Sequence, residues 1–220
     1  MNLEKTENTF VLGIFTALVG LLAAVLLAFF AKITAQPIAE ANAANAMQSL
    51  KAVLPEFDRT AEITIDEIDF CGAFADKKLV AIAASTVSKG YGGDIKTIVG
   101  LNTDGTVRTV VITENNETPG LGSNVCERKI KKTLSSLFEK SDSNSALPPN
   151  KILDYYSGKS LSPNDPAWKV AKDGGDCPYI TGATVSSRAV AEAVYKVLSV
   201  YTQNCEKLAS FFNSAVQEVK

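Results

Sequence analysis

Ile95-Lys96-Thr97-Ile98-Val99-Gly100-Leu101-Asn102-Thr103-Asp104-Gly105-Thr106-Val107-Arg108-Thr109-Val110-Val111-Ile112-Thr113 reads as two β-rich runs, 95–101 and 106–113, joined by a turn. Asp-Gly between such runs is a strong hairpin signal, because a tight hairpin turn places backbone at positive φ, where Gly carries no Cβ penalty. Val107, Val110 and Ile112 supply the second run's apolar side chains. Working upstream, Ile63, Ile65 and Ile68 alternate loosely with acids, and Leu79-Val80-Ala81-Ile82-Ala83 is a compact apolar run. Both read as further strands, so the middle of the chain is expected to be an antiparallel sheet.

Downstream the period changes to that of a helix. Residues 126–140 form an amphipathic pattern, with Ile130, Leu134, Leu137 and Phe138 on one stripe and a solvated basic face. A polar loop at 141–150 follows, then an irregular stretch holding Tyr155, Tyr156 and Trp168, for which core packing is the expectation. The Asp/Gly-rich run Lys172-Asp173-Gly174-Gly175-Asp176 leads into Thr181-Gly182-Ala183-Thr184-Val185-Ser186-Ser187, and a helical stripe (Ala189, Val190, Ala193, Val194, Val197, Leu198, Tyr201) begins directly after it. This is a loop ending at a helix N-terminus, with Ser186 or Ser187 the expected N-cap. Such a terminus has unpaired N–H groups and partial positive charge that attract phosphate. Gly182 would let a ligand approach the backbone, and Thr184 would place a hydroxyl beside it. Taken alone, the same residues also describe an ordinary capped helix. Helical character continues to Lys220, with Leu208, Phe211, Phe212 and Val219 and a break expected near Gln203-Asn204.

At the other end, residues 10–31 contain no charge and one polar side chain, Thr16. As a helix this run would measure roughly 33 Å, enough to cross a bilayer core. It is longer than a signal-peptide core, and Glu4 and Glu7 flank the lone Lys5 ahead of it, so an uncleaved anchor is the expectation. Lys5 and Lys32 balance each other across the run and leave orientation open. An Ala-rich segment opened by Pro37 and stopped before Pro55 reads as a separate connecting helix. The expected organisation is a tail (1–9), an anchor (10–31), a connecting helix (36–54), an α+β domain (55–204) and a helical C-terminal tail (205–220).

Composition narrows the chemistry. The 220 residues include no His, which excludes Ser-His-Asp catalysis and His-built metal centres. Cys71, Cys126, Cys177 and Cys205 are widely spaced, with no C-x-x-C, so neither an iron–sulfur cluster nor a zinc site is suggested and no disulfide pairing is chosen. The net charge of −2, without a basic patch, argues against nucleic acid as a partner. There is no G-x-G-x-x-G fingerprint for a nicotinamide dinucleotide.

Three loops together resemble a known family: Tyr91-Gly92-Gly93, Glu117-Thr118-Pro119-Gly120-Leu121-Gly122 and Thr181-Gly182-Ala183-Thr184-Val185-Ser186. They are similar, in order and separation, to the Y-G-G, E-T-P-G-L-G and S/T-G-A-T-x-S/T segments of FMN-binding domains in the G subunit of Rnf electron-transport complexes. The resemblance covers about residues 1–200. It implies a cytoplasmic N-terminus, one transmembrane helix, and an FMN-binding domain outside the membrane with an antiparallel sheet and packed helices. It further implies FMN joined to Thr184 by a phosphoester, installed by a flavin transferase. Thr181, Gly182, Ala183, Ser186 and Ser187 would surround the phosphate, while Tyr91, Gly92, Glu117, Thr118, Pro119, Gly120, Leu121 and Gly122 would border the ring. The implied role is electron relay within a complex whose other membrane subunits pass electrons from ferredoxin or NADH while ions cross the membrane. Two positions depart from the pattern: Asn115 stands where the family often has His, and Pro178 where transferase targets commonly have Asp, the nearest acid being Asp176. The C subunit of sodium-translocating NADH:quinone reductase carries a similar motif and is the alternative, along with an anchored flavin-sensing module without turnover.

Overall fold

The computed structural model describes residues 3–128, 147–162 and 165–217. The expected amphipathic helix at 126–140 falls almost wholly outside them. Two compact units are present, Met1–Ala46 and Met47–Lys220. Helix α1 spans Leu3–Val53, so Pro37 lies within it and does not open a separate connecting helix at 36–54. Val11–Ala35 has mean hydropathy 2.7 and none of it is buried, which makes it long and apolar enough to cross a membrane.

The second unit is a five-stranded antiparallel meander in the order β1-β2-β3-β4-β5: Arg59–Ile65, Ile68–Ala75, Lys78–Lys89, Asp94–Leu101 and Val107–Glu114. The β4–β5 hairpin forms where Asp104-Gly105 predicts it, with Gly105 at φ +82. The stretch from Ile63 to Ile68 is not one strand but the end of β1 and the start of β2, turned by Asp66 and Glu67 at φ 49 and 62. Asp76 and Lys77 repeat that geometry between β2 and β3. After β5 come α2 (Ser123–Cys126), α3 (Lys151–Asp154), α4 (Thr184–Gln203) and α5 (Cys205–Gln217).

Both faces of the sheet are covered. Ile68, Phe70, Phe74, Ile82, Ile95, Val99 and Leu101 pack with Val190, Val194, Val197 and Leu198 of α4, in the larger core. On the opposite face, Cys71, Ala73, Ala81, Ala83 and Ile98 pack with Val53 and Leu54 at the end of α1. The C-terminal helix is part of the domain and not a tail: Leu208 and Phe212 are buried, and Phe212 meets Phe74 edge-to-face with centroids 6.2 Å apart. Tyr156 is fully buried and stacks on Trp168, as core packing predicts. All four cysteines are free; three are buried and Cys205 is exposed.

Candidate functional site: a cleft at the start of helix α4

The three loops singled out in the sequence converge on one buried carboxylate. Glu117 Oε1 accepts the backbone N–H groups of Tyr91 (2.8 Å) and Gly92 (3.3 Å), and its Oε2 accepts the Ser186 hydroxyl (2.8 Å). Glu117 is 7 % exposed. One side chain thus ties the β3–β4 turn, the segment after β5 and the first turn of α4 together. Gly122 is crowded by this side chain, and Gly92 by the backbone just before it. A Cβ on Gly122 would overlap Glu117 Oε2 and lie 2.8 Å from Ser186 Oγ, and a Cβ on Gly92 would overlap the Asn116 carbonyl oxygen. Their small size makes room for the packed protein atoms around Glu117.

Both motif loops are turns with glycine in the left-handed region. Leu121 N–H donates to Thr118 O with Pro119 and Gly120 between them, Gly120 at φ +81. Ala183 N–H donates to Ile180 O across Thr181 and Gly182, the latter at φ +87. The Pro119-Gly120 turn, with glycine at positive φ in its third position, is of the type II kind. Asn115 is put to structural use, its Oδ1 accepting the Glu117 N–H at 3.2 Å.

Helix α4 starts three or four residues earlier than capping by Ser186 or Ser187 would set it. Its N-cap is Ala183, which offers no side-chain hydrogen bond, and Thr184 is the first helical residue. Ser186 and Ser187 are therefore not caps but buried first-turn residues. Ser187 accepts from Ile180 N–H and donates to Ala183 O, while Ser186 is spent on Glu117. The physical reason is long-range: the hydroxyls find partners in the tertiary structure, and the helix end stays open. Thr184 is half-buried and makes no side-chain hydrogen bond among the described residues.

A cleft of about 450 Å³ opens at this point, lined by Tyr91, Glu117, Thr118, Leu121, Gly122, Gly182, Ala183, Thr184 and Ser186, and also by Lys172, Val185 and Arg188. Of the sequence-predicted residues, Thr181, Ser187, Gly92, Pro119 and Gly120 support these walls without lining them. Lys172, Val185 and Arg188 were not picked out from the sequence; Lys172 and Arg188 could have been sought as cations next to a phosphate motif. Exposed apolar side chains rim the cleft: Tyr91, Leu121 and Val185 are 76 %, 46 % and 40 % exposed. A larger cavity of about 620 Å³ lies beside Tyr155, Trp168 and Cys177. It includes none of the motif loops and no helix N-terminus, so size alone does not make it the site. Among the described residues, the smaller cleft combines helix amides and a hydroxyl without protein partners, two basic side chains and apolar walls, which fits a phosphate attached to a flat aromatic group.

Residues 90–199 match the family described as the FMN-binding domain. Three relatives are named as the G subunit of an ion-translocating oxidoreductase complex. The Salmonella typhimurium protein is 41% identical over 54% of this chain and 48% of its own length. The Shewanella oneidensis protein is 33% identical over 96% of the chain and 95% of its own, and the Cereibacter sphaeroides protein 28% identical over 92% and 88%. The chain spans about half the length of the Salmonella relative and nearly all of the Shewanella one. It belongs to the family of FMN-binding, membrane-anchored G subunits of ion-translocating oxidoreductase complexes.

Proposed function

We propose that this chain is the flavoprotein subunit of an Rnf-type ion-translocating oxidoreductase, holding FMN by a phosphoester to Thr184 and relaying electrons between partner subunits. A bound flavin supplies one- and two-electron transfer; the protein supplies its place, its surroundings and the exclusion of side reactions. The observation that carries the reading is the state of Thr184, whose unspent, half-exposed hydroxyl sits at the uncapped start of α4 and inside the cleft. The neighbouring serine hydroxyls are buried and already bonded.

In this reading the amides of the first α4 turn and the basic side of the cleft stabilise the phosphate. Tyr91, Leu121 and Val185 border the ring and keep water from one side of it. Glu117 fixes the spacing of the three loops and itself lines the cleft. The domain lies on the outer side of the cytoplasmic membrane, with the N-terminus inside. A flavin transferase installs the cofactor, membrane lipid surrounds the anchor, and the other membrane subunits of the complex donate and accept electrons.

The test is flavin fluorescence of the denatured full chain after co-expression with a flavin transferase. The wild-type band is expected to fluoresce and the Thr184→Ala band to be dark. Fluorescence in both would move the tether to another residue, and darkness in both would remove covalent FMN from the account.

A further inference from the structure

The loop between Lys169 and Cys177 is built to hold one lysine at the cleft. It closes on itself through Cys177 N–H to Lys169 O (3.0 Å), Ala171 N–H to Cys177 O (2.8 Å) and Gly175 N–H to Val170 O (3.2 Å). Buried Val170 and Cys177 pin its base in the core. Its tip is a single 3-10 turn, Ala171–Asp173, ended by Gly174 at φ +82. The tip is strapped to α4 by Asp173, whose two carboxylate oxygens accept Arg188 Nε–H and Nη2–H at 2.5 and 2.8 Å. Arg188 is four residues past Thr184, hence on the same face of α4 one turn on.

The strap divides the labour between the two cations of the cleft. Arg188 is neutralised by Asp173 in a two-bond pair, the geometry that best satisfies a guanidinium. The hydrogen bonds from Arg188 hold the Asp173 carboxyl below the usual carboxylate range, so the pair stays charged at neutral pH. Lys172, next in the chain, lines the cleft with Thr184 and forms no ion pair among the described residues. Lys169, in the same loop, lines the other cavity.

We propose that Lys172 is the cation that recognises the flavin's phosphate, and that the Asp173–Arg188 pair is the strut that presents it. This rests on the FMN reading given above. Lys172 is then a specificity determinant, separating a phosphorylated flavin from the bare one, and Asp173 and Arg188 are positioning residues.

The experiment compares FMN with riboflavin on the detergent-solubilised full chain, made without a flavin transferase, by fluorescence quenching. Wild type is expected to prefer FMN, and Lys172→Ala to lose about tenfold of that preference, the worth of one charge-assisted hydrogen bond. Lys172→Arg should retain it. Lys169→Ala, the same charge removed from the same loop but outside the cleft, should leave it unchanged. Asp173→Asn should reduce the preference while riboflavin affinity holds, which general loosening of the fold would not do. An FMN preference in Lys172→Ala equal to wild type overturns the proposal and leaves the FMN reading standing. If wild type binds neither flavin and takes up none with the transferase, the FMN reading fails and this proposal with it.

Discussion

Replacing Gly122 by Ala tests whether a buried carboxylate organises the cleft. Gly122 has φ −62 and ψ −32, which alanine adopts without strain, so any effect is steric. The new methyl would overlap Glu117 Oε2 and sit 2.8 Å from both Glu117 Cβ and Ser186 Oγ, where ordinary contact needs 3.4–4 Å. The Glu117 carboxylate must move away from Ser186, and its other oxygen is held by two amides of the β3–β4 turn. Overpacking costs about 1–3 kcal/mol, and loss of the charge-assisted Ser186 bond about 1.5–3. The smaller unfolded-state entropy of alanine gives back roughly 0.4–1. The net is about 1.5–5.5 kcal/mol, or roughly 3–20 °C of melting temperature for a domain of this size. The assay is thermal unfolding of the full chain in detergent, followed by near-ultraviolet circular dichroism, alongside covalent flavin uptake. Ser186→Ala removes one of the clashing atoms, so the double variant should be less destabilised than the sum of the two singles. A Gly122→Ala chain that melts within about 0.5 kcal/mol of wild type, the ordinary scatter of a neutral substitution, and takes up flavin normally would refute the Glu117 hub.

Three further outcomes follow from the packing. Phe212→Ala should cost about 3–5 kcal/mol, because it empties a fully buried site against Phe74; a melting curve like wild type's would return α5 to the status of an appendage. In the native chain one thiol, Cys205, should react quickly with an aromatic disulfide at about pH 8, since the other three are buried. Burial, followed by nearby acids, pushes Cys71 up to about 11 and Cys126 up to about 12, so both are neutral there. For a group whose pKa is raised by folding, the stabilisation is complete below its unfolded value and fades as pH climbs toward the folded one. Stability should therefore hold through about pH 8 and decline above about 9, less steeply in Cys126→Ala if that variant folds.

The hairpin at 95–113 was legible because its turn obeys local chemistry. Gly105 takes the positive φ, and Asp104 accepts both the N–H and the hydroxyl of Thr106. The β1–β2 turn was not, since Asp66-Glu67 uses positive φ at residues that carry side chains and gives no glycine signal. Asp76-Lys77 hides the next turn in the same way. The convergence of the three motif loops could be expected from resemblance, but the agent could not: Glu117 and Ser186 are 69 residues apart, and no local rule pairs them. The same distance defeats the local rules of capping. Ser186 and Ser187 satisfy every local preference for an N-cap and were drawn into the first turn by partners that only the folded chain supplies. Leu208 and Phe212 were readable as an apolar stripe, yet the sheet face that receives them is set by topology and not by the stripe.

The missing serine cap has a consequence for the cleft. Such a cap would have satisfied the first amides of α4 from within the chain, and would have competed with any anion for them. Folding instead spends the Ser186 hydroxyl on Glu117 and the Ser187 hydroxyl on Ala183 O, and leaves Ala183, with no side-chain oxygen, at the cap. Unpaired amides at a helix end cost stability unless water or a ligand meets them. The fold accepts that cost at the start of α4, beside Thr184, where Lys172 and Arg188, the latter held by Asp173, border the same opening. The site is thus made by withholding a cap as much as by adding groups. Introducing Ala183→Ser should reveal this: the serine would cap α4 and stabilise the chain by about 0.5–2 kcal/mol while slowing flavin uptake. Stabilisation with undiminished uptake would mean that the open amides are not what the phosphate meets.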